Sequence, residues 1–268
     1  MAGPKTLVSL LIPLLILLSV SAVSVISHSD KIIDLTWHVT EKIVSWPGSK
    51  NFVFIKKVFE DKSMGQLYTT NEFAATEHIG THIDAPYHFD KRGWKIGDIP
   101  LSHLIGHCIT INLSDETNKL GGAAALLPKH LIEWEQKNGP IPNNSILLVN
   151  FNWGRYFHNK VKYYGGETLD KFKFPGITPE AAQWIVDSGN VLGVGVDAAS
   201  ADLGNSTDFL AHKIFLRNKI YIIENVKFPE SFPEKGYWLT VMPMLIKEGT
   251  GAPARVVAYS KKYTFFTI

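Results

Sequence analysis

His78-Ile-Gly-Thr-His82-Ile-Asp84-Ala-Pro-Tyr-His88 places three histidines and one aspartate within eleven residues, all at even-numbered positions. In an extended strand alternate side chains share a face. His82 and Asp84 are therefore expected to enter one site, with His88 further along the same side. His78 and His82 would also pair at i, i+4 on a helix, but Gly80, the β-branched Thr81 and Ile83, and Pro86 oppose a helix here. Fully extended, His78 and His82 would stand roughly 13 Å apart at about 3.3 Å per residue, too far to share an ion. If both bind, the chain must turn or bulge between them, and Gly80 is the residue that permits it.

Imidazole and carboxylate donors together suit Zn²⁺ or Mn²⁺, and the absence of cysteine ligands points to a catalytic site rather than a structural one. The plainer reading is a histidine-rich surface loop. The density of donors and the Gly-Thr and Ala-Pro between them favour the metal. Held by His78, His82 and Asp84, an ion would keep room for water and lower its pKa from 15.7 to roughly 7.

Other chemistries find no support in the sequence. Gly-x-Ser-x-Gly and His-Glu-x-x-His are absent, as are a P-loop and a Gly-x-Gly-x-x-Gly after a strand. Gly193-Val-Gly195 is read as packing within a strand. The net charge of +2 and the lack of a basic run give no sign of nucleic-acid binding.

The motif His-x-Gly-Thr-His-x-Asp-Ala-Pro-x-His resembles the signature of the cyclase-like metal-dependent hydrolases, which include bacterial-type kynurenine formamidases and isatin hydrolases. The resemblance runs from about Ile33 to about Ser260. It implies a swivelling β/β/α-type α/β fold, a single domain with a mixed sheet packed against helices and a second, smaller sheet. It also implies a second pair of ligands twelve residues apart, matched here by His212 and Glu224, with Asp84 bridging two metals. Glu224 is unusual in its own right, because it ends the apolar run Ile220–Ile223, where an unpaired carboxylate would be costly. The resemblance makes His88 the proton donor and acceptor, a role that an imidazole pKa near 6.5 suits. It makes Trp46, in Ser45-Trp-Pro-Gly48, a substrate-contacting indole, with ordinary packing in the Pro-Gly turn as the alternative, and Ser49 departs from the family's acidic residue there. Asp197, Ser200 and Asp202 fall in a segment similar to the family's Asp-x-x-Ser and would shape the pocket or orient ligands, or equally serve a structural role.

The expected function is metal-dependent amide hydrolysis, first of N-formyl-L-kynurenine to L-kynurenine and formate, through metal-bound hydroxide and His88. A cyclic amide of the isatin type is the alternative substrate. A secreted metal- or ligand-binding protein without turnover is the alternative class. One or two Zn or Mn ions are implied, and a homodimer or larger assembly.

The N-terminus reads as a leader: Lys5, then an apolar stretch from Thr6 to Val25, within which Val20-Ser-Ala22 is a cleavage pattern. Residues 1–22 are expected to be a signal peptide and 31–262 the hydrolase domain. An uncleaved anchor is the rival reading. Export fits the sequons at Asn112, Asn143 and Asn205, although a glycan at Asn205 would crowd the expected site. Cys108 is the sole cysteine, so no intrachain disulfide forms, and it is read as a buried thiol.

Apolar, β-rich runs predict strands at 109–113, 145–151, 191–196, 219–224 and 255–259. Their near-continuous apolarity predicts cover on both faces. Thr178-Pro-Glu predicts the start of a helix that Gly189 ends, and a second helix runs from about Pro128 to Gly139. The segment 163–176 is read as a long surface loop.

Overall fold

The computed structural model describes residues 32–58 and 69–260. The leader and its expected cleavage point lie outside the described residues. In chain order the elements are β1 (Ile32–Asp34), β2 (Val53–Val58), β3 (Thr70–Ala74), β4 (His82–Asp84), β5 (Ile105–Asn112), α1 (Ser114–Leu120), β6 (Ala125–Leu126), α2 (Pro128–Asn138), β7 (Ser145–Asn150), α3 (Lys160–Tyr164), β8 (Gly176–Ile177), α4 (Pro179–Ser188), β9 (Val191–Val196), α5 (Leu210–Arg217), β10 (Tyr221–Glu224), β11 (Tyr237–Pro243) and β12 (Gly251–Ser260).

The main sheet closes on itself, as the expectation of a mixed sheet with a second, smaller one did not foresee. Its ring runs β12, β11, β5, β7, β9, β10, β4 and back to β12, with β1 added outside the ring. Closure depends on the length of β12. One edge of it pairs with β11, while on the other Gly251–Pro253 pair with β4 and Val257–Tyr259 pair with β1. The strands β5, β7, β9 and β10 are mutually parallel, and the remaining contacts of the ring are antiparallel. Two minor two-stranded sheets, β2–β3 and β6–β8, stand apart from it.

Alternation along the strands sorts the apolar side chains into two cores. Cys108, Ile146, Leu148, Ile223, Leu239 and Val256 fill the interior of the ring. Ile109, Ile111, Leu147, Val149, Val194 and Ile222 face outward onto the helices. Both faces of β7 are therefore dry, as its unbroken apolar sequence predicted. Gly193 and Gly195 serve packing: a Cβ on Gly193 would meet the Tyr221 ring at 2.4 Å, and one on Gly195 would meet Leu148 at 2.5 Å. Burial pushes the Cys108 thiol up to about 12, so it is an inert part of the inner core.

The helix α4 starts and stops where its sequence says. The Thr178 hydroxyl accepts from Ala181 N–H, and Gly189 closes the C-terminus at φ +67°. The segment 163–176 is exposed along Glu167–Lys171, as a surface loop would be, but its aromatics are not. Tyr163, Tyr164, Phe172 and Phe174 are all buried, with Tyr164 and Phe172 stacked at 4.6 Å. Its aromatics outweigh its glycines and lysines, and they fold it over the outer core.

Candidate metal centre

The ligand-type residues gather on the outer face of the ring, where β4 meets β10. Gly80 has φ +62° and makes the turn that the sequence required, so His78 leaves the strand line and returns beside His82. His82 and Asp84 then follow as alternate residues of β4 on one face. Glu224 of β10 is the direct antiparallel partner of His82. His212 comes from the first turn of α5, which packs over this edge of the sheet.

Asp84 is the hub. Its Oδ1 lies 2.5 Å from His78 Nδ1 and 3.2 Å from His82 Nε2, and its Oδ2 lies 3.2 Å from His212 Nε2. Glu224 closes the cluster, with Oε1 3.2 Å from His212 Nε2 and Oε2 3.5 Å from His82 Nε2. Two overlapping donor sets result, His78–His82–Asp84 and Asp84–His212–Glu224, each compact enough to hold one ion. The donors fit a divalent cation. His82 Nε2 is buried without a hydrogen bond and is aimed at two carboxylates, an orphaned nitrogen that a cation would satisfy.

Outer partners orient these rings. The Nδ1 of His82 faces the Gly80 carbonyl at 2.9 Å, leaving Nε2 for the cluster. Asp202 does the same for His212: its Oδ2 lies 2.6 Å from Nδ1, and its carboxylate accepts the N–H groups of Ala211 and His212 in the first turn of α5. Asn225, held at φ +58°, donates to the same Gly80 carbonyl at 2.9 Å and accepts from the Tyr163 hydroxyl at 2.6 Å.

The electrostatics are those of a cluster balanced for a cation. Burial opposes the charged form of Asp84, yet the surrounding histidines hold its pKa well below the usual carboxylate range. Burial also opposes the imidazolium forms of His82 and His212. The neighbouring carboxylates overcome it, raising His82 to about 9 and His212 well above its ordinary value. His88 behaves oppositely. Burial, helped by the nearby histidines, lowers it to about 4 against the attraction of Asp84.

These groups floor a cavity of about 250 Å³ walled by Val44, Trp46, Phe89, Tyr164 and Phe209. The ring of His88 stands 4.2 Å from that of His78 and 6.4 Å from that of His212, centre to centre. Trp46 lines the wall, edge-on to Tyr164 and Phe172 at 5.9 Å from each. Phe209 takes a left-handed backbone, φ +49°, at the start of α5, an uncommon conformation for a bulky residue.

The Cyclase family model, described as "Putative cyclase", matches residues 33–203. The chain belongs to the cyclase-like family of metal-dependent hydrolases. This hydrolase is 28% identical over 186 residues to a kynurenine formamidase of Paracidovorax citrulli, covering 69% of this chain and 76% of the relative. It is 27% identical over 220 residues to an isatin hydrolase of Roseibium aggregatum, covering 78% and 82%. In fold it resembles an isatin hydrolase A from Labrenzia aggregata bound to benzyl benzoate, with a TM-score of 0.78 and 24% identity over 87% of this chain and 95% of that one.

All seven site residues expected from the sequence of this hydrolase meet around one cavity. His212 and Glu224 do so although they lie beyond the residues matched by the family model. Of the Asp-x-x-Ser segment, Ser200 lines the cavity and Asp202 orients His212. Asp197 does not line it: its carboxylate accepts the backbone N–H groups of Phe151, Trp153 and Gly154 and ties down the turn after β7. The sequence reading missed Phe89, Phe209 and Tyr164. Phe89 directly follows His88, and Tyr164 belongs to the aromatic run taken for a loop, so a signal was present for both.

Proposed function

We propose that this protein hydrolyses an aryl amide at the centre built by His78, His82, Asp84, His212 and Glu224, with His88 moving the proton. One observation carries the reading: Asp84 is shared by two three-residue donor sets, and His88 stands beside both under aromatic walls. When bound there, one or two ions of Zn²⁺ or Mn²⁺ supply Lewis acidity for the amide carbonyl and for attacking water.

The residues of the chain do the rest. Trp46, Tyr164 and Phe209 receive the aryl group and exclude bulk water. His88 stands beside both donor sets, where its ring nitrogen can take a proton from the attacking water. The water oxygen bonds to the amide carbon, the C–N bond breaks, and the imidazolium of His88 returns the proton to the departing nitrogen. The products are an acid and an aryl amine.

The first substrate to fit this chemistry is an N-formyl aryl amine of the N-formyl-L-kynurenine type, giving formate. A second reading, a compact cyclic amide of the isatin type, is favoured by the wall itself. Among the described residues lining the cavity there is no lysine or arginine to meet an amino-acid carboxylate. The cavity is also smaller than the roughly 300–1,000 Å³ of pockets for drug-sized ligands. Assaying N-formyl-L-kynurenine and isatin side by side decides between them. Formate release at the higher kcat/KM supports the first, and ring opening at the higher value supports the second. Turnover of neither rejects both substrates.

We further propose export, with cleavage near Ala22. The three sequon asparagines, Asn112, Asn143 and Asn205, all stand exposed on the fold and support it. Glycosidase treatment of protein from a secreting eukaryotic host, with N-terminal sequencing, tests this. An unshifted band and an intact N-terminus would refute it.

A further inference from the structure

His78 differs from the other two histidines of the cluster. The rings of His82 and His212 present Nε2 to the carboxylates and turn Nδ1 to an outer acceptor. His78 is reversed: Nδ1 faces Asp84 at 2.5 Å, and Nε2 faces the Thr250 hydroxyl at 3.0 Å. A hydroxyl is both donor and acceptor, so the contact alone leaves the proton on Nε2 undecided.

Glu77 decides it. Its Oε2 lies 2.7 Å from Thr250 Oγ1 and 2.9 Å from Thr250 N, and both groups donate to it. A threonine hydroxyl has one proton, and a carboxylate accepts only. With that proton committed to Glu77, Thr250 Oγ1 offers only lone pairs to His78. Nε2 must therefore carry a proton, and Nδ1, which donates to Asp84 in the metal-free site, is the nitrogen left to give up its proton to a cation.

The strand geometry holds the relay in place. Thr250 precedes β12, and its carbonyl accepts from Ala85 N–H at the end of β4. The next residue, Gly251, is the strand partner of Asp84, and a Cβ there would meet the His78 ring at 2.4 Å. The ring thus lies against a glycine with Asp84 on one side and Thr250 on the other. Glu77 sits next to His78 in the chain and reaches it only through Thr250.

We infer that Glu77, acting through Thr250, is a positioning residue that commits His78 to bind metal through Nδ1, opposite to His82 and His212. The inference rests on the reading of His78 as a ligand and adds the tautomer and its cause. Outer partners of metal-bound histidines usually contact the ring directly. Here a hydroxyl is interposed, and the carboxylate acts one residue removed.

The test is ¹⁵N NMR of the histidine side chains in the Zn²⁺-loaded full-length protein, with Zn²⁺ affinity measured by calorimetry. The expected spectrum shows His78 protonated at Nε2, and His82 and His212 protonated at Nδ1. Thr250→Val and Glu77→Leu should weaken Zn²⁺ binding about 10- to 100-fold, whereas Thr250→Ser, which keeps the hydroxyl, should bind within a few-fold of wild type. A His78 proton on Nδ1 in the wild-type complex overturns the inference, and so does wild-type affinity in folded Thr250→Val. The wild-type spectrum decides the matter even if a variant fails to fold. If the wild-type protein takes up no Zn²⁺ at all, it is the metal reading that fails, and the two failures are distinct.

Discussion

His82 and Glu224 are direct cross-strand partners, one on β4 and the other on β10, with His82 Nε2 and Glu224 Oε2 3.5 Å apart. Two donors from distant parts of the chain are thus fixed by the register of a sheet. A slip of one residue would turn every side chain of β4 to the opposite face. His82 and Asp84 would then enter the inner core, and Ile83 would take their place. Closure of the ring through β12 holds β4 on both edges and prevents such a slip.

Asp84→Asn should abolish metal binding at both donor sets, since one carboxylate serves each. The expected loss in affinity exceeds the roughly 100-fold upper end for outer partners. Elemental analysis of the dialysed variant checks it. Retention of the wild-type metal content would show that Asp84 is not shared.

Asp202→Ala should act twice. It frees the His212 ring, lowering metal affinity about 10- to 100-fold. It also leaves buried N–H groups of α5 without an acceptor, costing about 1–3 kcal/mol of stability. Denaturant unfolding of the metal-free variant separates the second effect from the first.

The His88 pKa of about 4 in the fold, against 6.5 ordinarily, makes a signed prediction. A histidine whose pKa falls on folding opposes the folded state once it must take up a proton. Relative to His88→Asn, metal-free wild type should lose stability as pH falls from about 6.5 to 4 and show no such difference above 6.5. His82, raised to about 9, has the opposite sign. Its contribution is fully present below pH 6.5 and is lost as pH rises through 9, as melting of His82→Asn beside wild type would reveal. Parallel melting curves across either window would contradict that assignment.

Metal binding at pH 7.5 should release protons, because His82 and His212 hold them in the metal-free cluster and must lose them to coordinate. Calorimetry in buffers of different ionisation enthalpy measures the number. Release of less than about one proton per ion would contradict the raised pKa values.

The sequence exposed the first donor set because its ligands lie within one short segment where periodicity and a glycine limit the geometry. His212 and Glu224 came instead from a family resemblance, since no local pattern links a helix turn to a distant strand end. The same limit hid Thr250 and Gly251, which reach His78 only because β12 pairs with β4. The strands were legible from their apolar runs, but ring closure was not, because it depends on one strand serving two neighbours along one edge. The segment 163–176 was legible as a loop but not as one anchored in the core, because its aromatics find their burial against residues distant in sequence, such as Trp46.

The decisive measurement is hydrolysis of N-formyl-L-kynurenine and isatin by one preparation, stripped by chelator and then titrated with Zn²⁺ or Mn²⁺. Turnover should be absent from the stripped protein and return as metal is added, with His88→Ala binding metal but slower by about 10²–10⁴-fold. Equal turnover with and without metal, or full activity in His88→Ala, would contradict this expectation.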